Sequence, residues 1–183
     1  MKKQILFACF FAMATASAFS QVSFCHSIGG SLYINSETAG FAILYSPRLN
    51  LAELNDESTI SIGTHFGFGL SGSVNSQDGG SGTVTVDAPL MVEYNYGLAA
   101  NPDEDDDFGF FGGVGFGYNL MGGTDDTFGG TYGGSSAGPV LNAGVRVMIA
   151  EHPLGARLSY LINVKNNGAS TVGIGLFYIL GDY

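Results

Sequence analysis

The chain has 183 residues, enough for one domain once an N-terminal leader is set aside. Hydrophobic residues make up 45% and charged residues 12%, with 29 Gly, 14 Phe, 9 Tyr and no Trp; a disordered chain is poorer in aromatics, and a collagen needs a strict glycine period. Six basic against sixteen acidic residues exclude the basic footprint of a nucleic-acid binder, and no stretch after the leader reaches the ~18 consecutive apolar residues of a membrane helix.

Lys2 and Lys3 precede an apolar run from Ile5 to Ala14, followed by Ala16-Ser17-Ala18 or Ala18-Phe19-Ser20 as a small-x-small cleavage pattern. This order predicts a signal peptide over 1–20 and an exported domain over 21–183. Cleavage leaves Cys25 without a partner for a disulfide, and keeps only Arg48, Arg146, Arg157 and Lys165 as basic residues.

Alternation of period two then predicts strands near 28–35, 39–50, 58–74, 82–97, 108–121, 137–150, 154–165 and 170–180. Turn-rich gaps separate them: Asn55-Asp56-Glu57, 75–81, 101–107, 122–136, His152-Pro153 and Asn166-Asn167-Gly168. Several runs reach the ten or so residues that a tilted strand needs to cross a bilayer. Their two faces differ. Ile60, Ile62, Phe66, Phe68 and Leu70 share one face of strand 58–74, against Ser61, Gly63, His65, Gly67, Gly69 and Ser71 on the other. Phe108, Phe110, Val114, Phe116, Tyr118 and Leu120 oppose Gly109, Gly113, Gly115, Gly117 and Asn119. Leu141, Val145 and Ile149 oppose Asn142 and Arg146, and Leu158, Tyr160 and Ile162 oppose Arg157 and Ser159.

A soluble sandwich or ligand-binding barrel turns large side chains inward and charges outward. Here the scarce charges sit on the small-residue face, which suits an interior, and the bulky face suits lipid. In lipid an open sheet edge leaves backbone groups unpaired at several kcal/mol each, so the sheet must close. The expected fold is all-β: a closed antiparallel up-and-down transmembrane β-barrel of about eight strands.

Arg48, Glu93, Arg146 and Arg157 fall on the inward face, with His65 nearby, and form the candidate interior charge cluster. A charge facing lipid at mid-depth costs about 2–4 kcal/mol, which favours the inward assignment. Glu93 is expected to pair with Arg146 or Arg157 as part of a polar plug. Two enzyme-like strings lack their context. Gly67-Phe68-Gly69-Leu70-Ser71-Gly72 has no helix after it to meet a pyrophosphate, and Gly134-Ser135-Ser136-Ala137-Gly138 lies outside a strand–turn–helix elbow. The acidic run 103–107 reads as a solvated turn, since Phe108 stands where a calcium loop requires glycine. His26, His65 and His152 lack metal-ligand spacing. No catalytic, cofactor or metal residue is assigned. The loop 122–136, with Asp125, Asp126, Phe128 and Tyr132, is the candidate for contacting a partner.

Three segments carry a family likeness: Asp87-Ala88-Pro89-Leu90-Met91-Val92-Glu93-Tyr94, Gly138-Pro139-Val140-Leu141-Asn142-Ala143-Gly144 and Val172-Gly173-Ile174-Gly175-Leu176-Phe177-Tyr178. With the leader and the terminal aromatic Tyr183, they resemble the small outer-membrane β-barrel proteins of the OmpX/OmpA-like group. The resemblance implies an outer-membrane location, contact with outer-membrane lipid, insertion by the barrel insertion machinery that reads such a terminal aromatic, and an even strand count with both termini in the periplasm. It would make 51–57, 98–107 and 151–153 periplasmic turns, and 36–38, 75–81, 122–136 and 166–168 outward loops. The expected function is a structural or adhesion-type barrel without catalysis, meeting a cell-surface partner that the sequence does not name. The alternative is a narrow channel or small-solute binder, and a soluble secreted ligand-binding barrel ranks below both. A lipid-modifying enzyme would need Ser, His and a carboxylate to converge near one rim.

Overall fold

The structure is a computed structural model that describes residues 22–73, 83–101, 106–125, 130–165 and 169–180, with backbone alone for 73, 123–125 and 130–133. The predicted signal peptide lies outside the described residues. Nine strands are present among them: β1 (Ser23–Ile34), β2 (Thr38–Asn55), β3 (Ser58–Thr64), β4 (Phe66–Ser73), β5 (Thr83–Gly97), β6 (Phe108–Asp125), β7 (Gly130–Ile149), β8 (His152–Leu161) and β9 (Thr171–Leu180). All pair antiparallel with their neighbours, and β1 pairs with both β2 and β9, so the sheet closes on itself.

β3 and β4 act as one stave. The register against β5, and against β2 from Thr38 to Asn50, carries across the interruption at His65 unchanged, so the ring has eight members. The interruption has a local cause. Carrying the register across it sets Thr64 beside Pro47 and His65 beside Pro89, and proline has no N–H to give the ladder.

Following partners from Ser23 through Asn50, Ser61, Glu93, Gly113, Asn142, Ser159 and Gly173 leads back to β1 at Tyr33, ten residues beyond the start. This stagger is what tilts the strands of a closed barrel. Every side chain on that path points inward. The adjacent path runs through Phe24, Leu49, Ile62, Val92, Val114, Leu141, Tyr160, Val172 and Ile34, and is wholly apolar or aromatic. Its members face outward: Phe24 is 56% exposed and Val114 60%, whereas Glu93 is 2% exposed. Phe66, Phe116 and Leu158 are likewise exposed, and Arg146 and Arg157 are buried. Such an exterior would be insoluble in water and suits hydrocarbon.

Some boundaries differ from the sequence reading. The segment expected as a loop over 122–136 is mostly strand, because β6 and β7 stay paired out to Asp125 and Gly130. Glycines and threonines there give no large-and-small alternation for a period-two reading to catch. β2 runs on to Asn55 through register shifts after Asn50 and Glu53, so 51–54 is strand and not turn. His152 and Pro153 open β8, and the turn before them is Ala150-Glu151, with φ of 49° and 65°. Both termini of the described barrel, Asn55–Ser58, Gly97–Asn101 and Ala150-Glu151 lie at one end, which we call the terminal end. The loop that holds 35–37, the β6–β7 tip and the β8–β9 connection lie at the other, the distal end.

Candidate functional site

Among the described residues, the barrel interior combines glycines with the inward rings of Tyr33, Phe111 and Phe177. Phe111 lies directly across from Gly144, Phe177 from Gly155 and Tyr33 from Gly173. A Cβ on Gly144 would come within 2.3 Å of the Phe111 ring, and one on Gly155 within 2.2 Å of the Phe177 ring. Glycine in these staves is therefore the space into which a neighbour's ring folds. Phe111 and Phe177, 6.1 Å apart, join Leu44, Leu98, Ala99 and Ile179 in one buried cluster. The interior thus holds an apolar cluster beside the polar side chains expected from the sequence.

Polar side chains fill the rest. Glu93 on the adjacent strand β5 and Asn142 on β7 converge on His65, which sits at the break between β3 and β4. His65 Nε2 donates to Glu93 Oε1 at 2.7 Å, and its Nδ1 lies 2.9 Å from Ser46 Oγ. Asn142 Nδ2 donates to the same Glu93 oxygen and lies 3.1 Å from His65 Nε2. A carboxylate accepts only, so the tautomer with hydrogen on Nε2 is fixed by this contact.

The arginines divide between two levels. At the terminal end, Arg48 donates to Asn95 Oδ1 (2.9 Å) and to the Ala99 carbonyl. Arg146 donates to Asn95 Oδ1 (2.6 Å) and to the Leu98 carbonyl, with its guanidinium 4.5 Å from the Phe111 ring centre. Deeper in, Arg157 reaches the Tyr33 hydroxyl at 3.5 Å, close to Asp87, which accepts from Asn119 Nδ2 at 3.0 Å. Glu93 is accordingly held by hydrogen bonds from His65 and Asn142. Pairing of Glu93 with Arg146 or Arg157 was expected; the hydrogen bonds described for those guanidiniums go to Asn95, the Leu98 carbonyl and the Tyr33 hydroxyl.

The sequence-predicted cluster therefore occupies one interior, with Arg48, Arg146, Glu93 and His65 lining a cleft of about 350 Å³ together with Cys25, Ser46 and Phe177. Arg157 belongs to a second cleft of about 260 Å³ with Tyr33, Asp87 and Ser159. Asp87 was missed by the sequence reading, although it shares the parity of Glu93 on the same strand. Asn50, Asn95 and Asn142 were missed as network members, since an inward asparagine carries no charge to mark it. Of the candidate partner-contact residues, Asp125 ends β6 and Tyr132 lies in β7 by backbone, and Asp126 and Phe128 lie outside the described residues.

The row Ser46–His65–Glu93 has the residue types of an acyl-transfer relay. Ser46 is buried in the wall at mid-depth and His65 is its cross-strand neighbour by register, so the contact is a tie between staves and meets neither rim nor lipid. The two enzyme-like glycine strings fall inside β4 and β7.

No family model matches the sequence, and no curated protein matches it. Solved structures do. Ail, the attachment invasion locus protein of Yersinia pestis, in complex with the heparin analogue sucrose octasulfate, aligns with a TM-score of 0.52 at 10% identity, over 87% of this chain and 99% of that one. A second structure of Ail aligns with a TM-score of 0.52 at 11% identity, over 86% and 97%. The N-terminal β-barrel domain of OprF from Pseudomonas aeruginosa aligns at 0.46 and 14% identity, over 84% and 97%. The chain has the fold of a small outer-membrane β-barrel. The OmpX/OmpA-like likeness read from the sequence is thus met in the fold, with the eight-membered ring and the apolar exterior that it implies.

Proposed function

We infer that the protein is exported and resides in the outer membrane as a closed, non-catalytic barrel, whose outward contacts are made by its distal connections. The observation that carries this reading is the division of side chains across the wall. One register path is apolar throughout and the next holds the polar network, so lipid outside and a filled axis inside are both accounted for. In support, Glu93, His65 and Asn142 are buried and bond to one another inside the wall.

The likeness to Ail does not carry its sulfated ligand across. A polysulfated sugar is held by exposed arginines and lysines. Among the described residues Arg48, Arg146 and Arg157 turn inward, and Lys165 is the one basic side chain outside, held to Ser135 Oγ at 2.6 Å. An adhesion-type contact therefore falls to acidic and aromatic residues, and we assign it to Asp125, Asp126, Phe128 and Tyr132 at the β6–β7 tip.

Cell fractionation with gel mobility before and after heating tests the reading. The protein should remain in the outer-membrane pellet and migrate differently when unheated, and it should give no steady conductance in planar bilayers. Replacing 125–132 by Gly-Ser should abolish binding to cell surfaces while keeping the mobility shift. Recovery in the aqueous fraction without detergent overturns the membrane assignment, and steady conductance favours the narrow-channel alternative.

A further inference from the structure

The turn between β5 and β6 does not leave the barrel as an ordinary hairpin loop. After Gly97 the chain bends inward, and Leu98, Ala99 and Ala100 are all fully buried. Gly97 has φ of 66°, and a Cβ there would come within 2.3 Å of the Phe108 carbonyl, so glycine is what permits the bend. Ala99 has φ of 58°, a conformation that a non-glycine residue keeps only when its surroundings hold it.

Those surroundings come from other strands. The Ala99 carbonyl accepts from Arg48, and the Ala100 carbonyl accepts from Asn50 Nδ2 at 2.8 Å and Thr59 Oγ1 at 3.0 Å. The Leu98 carbonyl accepts from Arg146. Leu98 and Ala99 meanwhile pack on Phe111, Phe177 and Ile179, which form the wall of the 350 Å³ cleft. Three successive carbonyls are thus gripped by β2, β3 and β7, at the terminal end of the barrel.

We propose that the Gly97–Asn101 turn is a removable stopper, which shuts the terminal end of the barrel when docked and admits water and small hydrophilic solutes to the Arg48/His65/Glu93 cleft when withdrawn. The grip consists of these side-chain donors on main-chain carbonyls, the Asn101 Nδ2 bond to the Asp56 carbonyl (2.9 Å), and main-chain bonds from Gly97 N–H to Glu57 O (2.8 Å) and Leu98 N–H to Phe108 O (3.0 Å); water can satisfy each of these polar groups once the turn is out. Withdrawal leaves the β5–β6 partners up to Gly97 and Gly109 in place, and gives up the Leu98 N–H bond to the Phe108 carbonyl at 3.0 Å. The inference rests on the closed-barrel reading above, and adds where the closure resides.

Cys25 supplies the reporter, since its thiol is free and buried and lines the cleft. Its neighbour Asn50 Nδ2, 3.7 Å from the sulfur, is also a holder of Ala100. Protein produced by export of the full chain is extracted in detergent and treated with a small charged methanethiosulfonate, and modification at Cys25 is followed by peptide mass. The wild type should react slowly, and the Arg48→Ala/Asn50→Ala double variant at least about tenfold faster. Tyr33→Phe, which removes an interior contact in the other cleft, should react at the wild-type rate. Equal rates in wild type and double variant overturn the proposal, as does acceleration by Tyr33→Phe equal to that of the double variant.

Should the double variant lose its heat-dependent mobility shift, hydrogen exchange on the wild type decides. The Leu98 and Ala100 amides should exchange at least about tenfold faster than those of Tyr94 and Phe110, through local opening. Exchange of all four at one common rate overturns the stopper. Steady wild-type conductance would overturn the closed barrel itself, a separate outcome from either of these.

Discussion

Glu93 is a single carboxylate on which two donors from different strands depend. Removing it by Glu93→Ala leaves His65 Nε2–H and an Asn142 N–H unpaired in a buried site, which costs about 3 kcal/mol. Glu93→Gln keeps a carbonyl acceptor at the same place and should cost less than half as much. The urea midpoint of the folded, fast-migrating gel band measures both, and equal losses would show that the network is not what Glu93 supports. At this scale parity was readable: Arg48, His65, Glu93, Arg146 and Arg157 all lie on the small-residue side of their strands. Their pairings were not, because register decides which two inward residues face one another, and register is absent from the strand pattern itself. Phe111, Phe177 and Tyr33 escaped for the opposite reason. A rule that expects small residues inside passes over a large ring that fits only because the residue across from it is glycine.

Among the elements, the β7–β8 hairpin carries the sharpest local conflict. A two-residue loop with positive φ at both positions is the turn that favours Asn-Gly, yet Ala150 and Glu151 occupy it. Ala150→Asn with Glu151→Gly should raise stability by about 1 kcal/mol, read as an upward shift of the same urea midpoint. The strand count and most strand centres were legible from the alternation of bulky and small residues. The failures lie where that alternation fades, in the glycine- and threonine-rich arms of β6 and β7. The inward turn at Gly97–Asn101 was likewise hidden. Leu-Ala-Ala after a strand reads as its frayed end, and only the donors on β2, β3 and β7 give it a place. The interruption at His65 needed both neighbouring strands, since Pro47 and Pro89 act on it from either side.

For the whole molecule, the exterior sets the solvent. Leu90 lies mid-strand on β5 and is 61% exposed, so Leu90→Arg places a guanidinium against the acyl chains and should cost about 2–4 kcal/mol in bilayer vesicles. An equal midpoint for wild type and variant in vesicles would argue against lipid at that surface. Closure was inferable from the need to pair every edge in hydrocarbon, whereas the ten-residue stagger required the pairings themselves.

That stagger bears on biogenesis. A single turn of the inward path draws a residue from each of the eight staves, so no interior level exists until the last strand meets the first. An arc of a few hairpins would hold Glu93, Arg146 and Arg157 open to acyl chains on its concave side. Hairpin-by-hairpin entry into a bilayer is therefore disfavoured for this chain, and its passage from aqueous precursor to embedded cylinder has to be concerted.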